Sequence, residues 1–130
     1  MKNLTIHNLT LQTILKDLKK YNNKFTLGFL TGDRLGSKIA VTGISIPRQR
    51  SKIYETSVSD SEITKSLLRM MKAGQQCVGV GIYQTCFKLY LSFTNKEMME
   101  KLSKQAGGSM ICLVCNQKSG DVLWRMFRAK

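Results

Sequence analysis

The sequence predicts an α/β chain of the α+β type, a mixed β-sheet packed by helices, and three observations carry that expectation. Apolar stripes of helical period alternate along the chain with extended apolar runs. Turns bearing Gly or Asn separate them. Hydrophobic residues make up 42% of the sequence, and no low-complexity tract or linker divides them into parts of different composition. A chain of 130 residues can bury one core and is too short for two, so residues 1–130 are expected to form a single domain.

The elements follow in order. Leu11, Ile14, Leu15 and Leu18 recur at helical spacing with Gln12, Lys16, Asp17 and Lys19 on the other face, and Asn8 or Thr10 is available as the cap. Asn22 and Asn23 end this first helix. Residues 25–30 and 38–46 read as two strands joined by the Gly-containing turn at residues 31–36, and Pro47 closes the second strand. Residues 48–58 lack periodicity and read as an exposed loop. Ser59 and Glu62 form a capping box for a second helix whose apolar stripe is Ile63, Leu67, Met70 and Met71, and Gly74 supplies its stop. Residues 77–83 are a continuous apolar run of buried-strand length, and residues 88–93 add another extended segment. Thr94 and Glu97 repeat the capping box ahead of Met98, Met99, Leu102 and Ala106, with Gly107 and Gly108 ending a third helix. Residues 110–114 and 122–127 then flank a turn at residues 116–120. Methionines at helical spacing read as core filler, because thioethers pack well in irregular interiors.

Charge and composition bound the function. There are 21 Lys and Arg against 8 Asp and Glu, and the net charge of +13 is large enough to attract polyanions. RNA or a ribonucleoprotein such as the ribosome is one expected partner, with Arg48, Arg50, Lys52, Arg125, Arg128 and Lys130 as the candidate contacts. The competing reading is a solvated basic surface, since the charges spread from Lys2 to Lys130 in short clusters. No apolar run approaches the length of a membrane span and the first 21 residues lack a signal-peptide core, so a soluble intracellular chain, cytoplasmic or nuclear and without a membrane partner, is expected.

Reduced thiols are the natural state for such a chain. Cys112 and Cys115 are spaced like half a zinc ribbon, but the run is apolar and β-like and lacks the Gly-bearing knuckle that turns two thiolates onto one metal. Buried core thiols are expected instead. The single histidine, His7, excludes any site built on two histidines, and with His7 placed ahead of the first helix no second histidine exists to act as base for a cysteine nucleophile. Gly79 and Gly81 sit inside an apolar strand with no helix directly after them, which is the wrong context for a phosphate loop.

Four strings, in order, resemble the MPN domain family, the JAMM metalloproteases and their relatives, over residues 4–127. Residues 25–32, Phe-Thr-Leu-Gly-Phe-Leu-Thr-Gly, are similar to the family's Glu-x-x-Gly-Leu-Leu-x-Gly strand. Residues 39–49 end in Pro-Arg-Gln, similar to the Pro-x-Gln element of some members. Residues 80–87, Val-Gly-Ile-Tyr-Gln-Thr-Cys-Phe, align with Val-Gly-Trp-Tyr-His-Ser-His-Pro, which carries two metal-binding histidines. Ser92-Phe-Thr-Asn95 stands where the family has Ser-x-x-Asp. The resemblance implies a sheet with the layering of cytidine deaminases. In active members two His and one Asp hold Zn²⁺, and a Glu is the general base on the metal-bound water.

Here the base position is Phe25, the two His positions are Gln84 and Cys86, and the Asp position is Asn95. Ser92 alone keeps its type, with a slightly short spacing from Cys86. The resemblance therefore implies a pseudoenzyme with no catalytic residue, metal or cofactor, and a role in protein binding. Metal-free relatives scaffold the proteasome lid, the signalosome and translation initiation factor three, where helices of two MPN domains pair. Such a partner would lie on a face of the third helix that includes Met98 or Met99. Another branch binds ubiquitin or its chains without cleaving them, and the Gly-Phe-Leu and Pro-x-Gln strings are similar to that branch.

Overall fold

Two strands that are apolar on both faces organise the molecule. The computed structural model describes residues 4–21, 25–36, 38–51, 56–84, 93–106, 110–118 and 121–129. Strand β1 (Leu4–Ile6) leads into α1 (Asn8–Tyr21), followed by β2 (Phe25–Leu35) and β3 (Lys38–Ser45). A small pair, β4 (Arg50–Ser51) and β5 (Thr56–Ser57), precedes α2 (Asp60–Lys72). Then come β6 (Gln76–Gln84), α3 (Phe93–Ala106), β7 (Met110–Lys118) and β8 (Asp121–Ala129). The main sheet is mixed, in the order β1-β3-β2-β6-β7-β8, and β4 and β5 pair apart from it. The β1–β3 and β6–β7 pairs are parallel and the others antiparallel. Parallel neighbours need a crossover, which α3 supplies between β6 and β7.

Helices cover both faces, which explains why β6 reads as a continuous apolar run and why β2 is buried from Phe25 to Gly32. On one face Ile14 and Leu18 of α1 are fully buried and pack with Leu30, Val41, Val78 and Tyr83. On the other, Ile63 and Met70 of α2 and Met98, Met99 and Leu102 of α3 close over Phe25, Leu27, Phe29, Val80 and Ile82. Each fully buried aliphatic or aromatic side chain contributes about 1.5–3 kcal/mol relative to exposure. Among the described residues no helix is long and apolar enough to cross a membrane, which says nothing about strands.

Helix α2 begins and ends as its residues predict. Ser59 is its N-cap and its hydroxyl accepts the Glu62 N–H at 3.2 Å. Gly74, at φ 71°, follows the C-cap, so that the Gly74 N–H reaches Met71 O and the Gln75 N–H reaches Met70 O at 2.8 Å, a Schellman motif. Of the predicted stripe Ile63 and Met70 are buried, and Ser66 is buried with them. Leu67 is half-buried and Met71 is exposed, because one residue past Met70 lies about 100° further round a helix.

Several other expectations are corrected. The turn predicted at residues 31–36 is mostly strand: β2 runs on to Leu35, and the chain reverses at Gly36, whose φ of 65° suits glycine. Gly32 serves close approach instead, since a Cβ there would collide with the Ala40 carbonyl oxygen beside a bulge at Thr31/Gly32. Residues 116–118, expected in a turn, pair with Leu123, Val122 and Asp121, so only two residues separate β7 from β8. The expected loop at residues 48–58 contains the β4–β5 pair. His7 O accepts the Leu11 N–H at 3.0 Å, so Asn8 and Thr10 lie inside α1 and neither is its cap. Helix α3 already includes Phe93, which places Thr94 in its first turn instead of at the cap. The extended segment predicted at residues 88–93 otherwise lies outside the described residues, as do Asn22, Asn23, Gly107 and Gly108.

Candidate functional site

Two places compete as the functional site: the ends of β2 and β6 where the degenerate constellation was expected, and the outer surface of α2. At the first, register places Phe25, which opens β2, directly opposite Gln84, which closes β6. Both are 1% exposed. Phe25 belongs to the core beneath α2 and α3, together with Ile82 and Met99. Neither a phenyl ring nor a neutral carboxamide can carry a proton in general acid–base catalysis, and a carboxamide is a weak zinc ligand. Asn95 stands in the first turn of α3. Cys86 and Ser92 lie outside the described residues. Among the described residues no group of three or more His, Cys, Asp or Glu could hold a metal ion. His7 is exposed and precedes α1.

The three cysteines among the described residues, Cys77, Cys112 and Cys115, are buried and behave as core thiols. Cys112 packs beneath α2 and α3 and Cys115 beneath α1, because three residues along a strand is an odd step and puts the two on opposite faces of the sheet. They cannot share a metal. Burial raises the Cys112 thiol well above its usual range and pushes Cys115 up to about 12. Burial also raises Cys77, against the opposing effects of a hydrogen bond with the Gly79 backbone and of the Arg34 charge. Arg34 reaches this region from β2, its Nη2 donating to Cys77 O at 3.5 Å.

The Pro-x-Gln element has a structural role. Strand β3 pairs with β2 only from Phe29 onward, which leaves the backbone of Leu27 open on that side. The carboxamide of Gln49 closes it. The Leu27 N–H donates to Gln49 Oε1 at 2.7 Å, and Gln49 Nε2 donates to Leu27 O at 2.7 Å and to Pro47 O at 3.0 Å. A side-chain amide thus substitutes for the missing strand at one residue pair, because it presents the same donor and acceptor as a peptide group.

The second place is exposed and charged. Arg48, directly after buried Pro47, meets Lys65, Arg69 and Lys72 of α2 around an open groove of about 620 Å³, which Ile46, Leu68 and one carboxylate, Glu62, also line. Residues 65, 69 and 72 follow the i, i+4, i+7 spacing of one helix face. Leu68 is 46% exposed and Met71 is 67% exposed. A second, more apolar groove of about 460 Å³ shares Leu68 and runs past Leu67, Met71 and Gln105 of α3 to Cys77. Thr64 Oγ1 and Gln105 Oε1 meet across it at 3.4 Å.

Of the predicted polyanion contacts, Arg48 is placed here. Arg50 lies on β4 and Arg125 and Arg128 on β8, whereas Lys52 and Lys130 lie outside the described residues. Sequence reasoning counted charges clustered along the chain and so missed Lys65, Arg69 and Lys72, whose helical spacing was the available signal. The expected partner face at Met98 and Met99 is corrected. These residues are 6% and 1% exposed, because the apolar stripe of α3 faces β6 and β7 and has no surface left to offer.

No protein-family model matches the chain, and no curated protein matches it. Solved structures do share its fold. The solution structure of protein DSY2949 from Desulfitobacterium hafniense, a structural-genomics target, superposes with a TM-score of 0.74 over 96% of this chain and 83% of that one, at 15% identity. At that identity the likeness shows the fold alone: a mixed α+β arrangement.

Proposed function

We propose that this chain is a non-catalytic binding module of the MPN type, with the layering of that family, held in a larger assembly through protein contacts. The observation that supports the reading is the Phe25–Gln84 pair. The strings that resemble the family's base-bearing strand and its histidine segment lie on adjacent strands, with the base position opposite the first histidine position. An active site needs an ionisable group there and a path for substrate. This pair is neutral and buried instead. Such an exchange turns a catalytic pocket into core, and it leaves binding as the work of other surfaces.

Sedimentation of the tagged chain from gently lysed source cells tests the reading, with and without nuclease. A nuclease-resistant complex of intermediate size supports it. Migration as free monomer overturns it, as does cleavage of isopeptide bonds that depends on added zinc. A second reading, attachment to RNA or a ribonucleoprotein, is favoured by the net charge of +13, and nuclease-sensitive co-migration would select it.

A further inference from the structure

We propose that the outer face of α2, with Arg48 beside it, docks an acidic amphipathic helical segment of a partner protein. The inference deepens the binding-module reading and rests on it. Five large hydrophobic residues are exposed among those described, and only Leu68 and Met71 stand one turn apart on a helix. Leu9 and Tyr21 are at opposite ends of α1, and Leu35 is at the tip of β2. Leu68 lines both grooves, with Arg48, Lys65, Arg69, Lys72 and one carboxylate, Glu62, around the first, and Met71 and Leu67 beside Gln75 and Gln105 along the more apolar second.

That combination selects the occupant. A phosphodiester backbone is satisfied by cations alone and gains little from an aliphatic side chain at the centre of its site. A helix with apolar residues every three or four positions, flanked by Asp and Glu, uses both features: its apolar side chains cover Leu68 and Met71 while its carboxylates meet the cations. The charges would steer encounter and set register, and the apolar centre would hold the complex.

The test pans a displayed library of random helical peptides against the full chain, then titrates the enriched peptides by fluorescence anisotropy. Enriched peptides are expected to carry Asp or Glu three or four residues from Leu, Ile or Phe. The double variant R69E/K72E should weaken them at least about 10-fold, and L68S/M71S should do so by a similar factor without a change of charge. These residues are exposed, so circular dichroism should match wild type, with a modest fall in melting temperature for R69E/K72E, which loses the Arg69–Ser66 bond and places carboxylates in the last turn of α2. Absence of enrichment overturns the proposal, as do enriched peptides without acidic residues or binding indifferent to either variant. A single-stranded RNA probe bound more tightly than the best peptide, lost in R69E/K72E and retained in L68S/M71S, overturns it in favour of nucleic acid. Repeating the sedimentation separates the two levels. If wild type migrates free, the binding-module reading itself fails. If both double variants stay in the complex with wild type, only the assignment to α2 fails.

Discussion

The paired ends of β2 and β6 and the outer face of α2 follow opposite rules within one small chain. At the first, Phe25 and Gln84 carry no charge and lie out of water. At the second, Arg48, Lys65, Arg69 and Lys72 line one groove with Leu68, and Met71 lines the adjoining one, where solvent screens the charges and much of both apolar side chains is exposed. Burial makes the first region contribute to stability, and exposure leaves the second free to contribute to recognition. On the reading proposed for this chain, a position resembling a catalytic one is no guide to where the molecule acts, and the exposed face of α2 is the better candidate.

Substitutions should separate the two regions by size of effect. Phe25→Ala removes a fully packed ring and is expected to cost about 3–5 kcal/mol in urea unfolding. A loss under about 1 kcal/mol would mean the ring is not packed as described. Next comes Gln49→Ala, which deprives Leu27 of both backbone partners and should cost about 1–3 kcal/mol, with faster hydrogen exchange at the Leu27 amide. Gln49→Glu keeps the acceptor and loses the donor, so it should fall between wild type and the alanine variant in that exchange.

The buried thiols give a smaller, pH-dependent effect. Unfolded thiols ionise near pH 8.5, whereas Cys115 in the folded chain does so at about 12 and Cys112 is also raised. The raised folded values leave the thiol contribution intact below the unfolded pKa. Above it the unfolded state releases protons that the folded state keeps, so stability falls with a limiting slope of about 1.4 kcal/mol per pH unit for each thiol. Cys115→Ala should flatten the decline of the urea midpoint above about pH 8.5 by one thiol's share. An unchanged slope would show that Cys115 is not held neutral by burial. Smallest of all, Leu68→Ser or Met71→Ser should shift stability by no more than about 0.5 kcal/mol, measured by the same unfolding. A large loss at either would place that side chain in the core and remove it from the recognition surface.

Much of the framework was legible from local chemistry. Ser59, Glu62 and Gly74 marked the ends of α2 because caps are satisfied by neighbours in sequence. The run that became β6 was legible because a strand covered on both faces is apolar throughout. The hairpin of β2 and β3 was legible too, but its turn is shorter than residues 31–36, because Gly32 resembles a turn residue and only the approach of Ala40 from β3 shows its other use. Met98 and Met99 were misassigned for a related reason, since an apolar stripe has the same spacing whether it faces a sheet or a partner.

By itself, then, the sequence determined the class of fold, three helices with their stripes, the absence of a two-histidine site, and thiols suited to the interior. Tertiary structure decided the rest. Pairing across the sheet set Phe25 opposite Gln84, and packing brought Gln49 to Leu27 and gathered Arg48 with the cations of α2. Periods of 3.6 and 2 are written in neighbouring residues, so a sequence can state which face of an element is apolar. What that face meets depends on residues tens of positions away, and only the folded sheet brings them together.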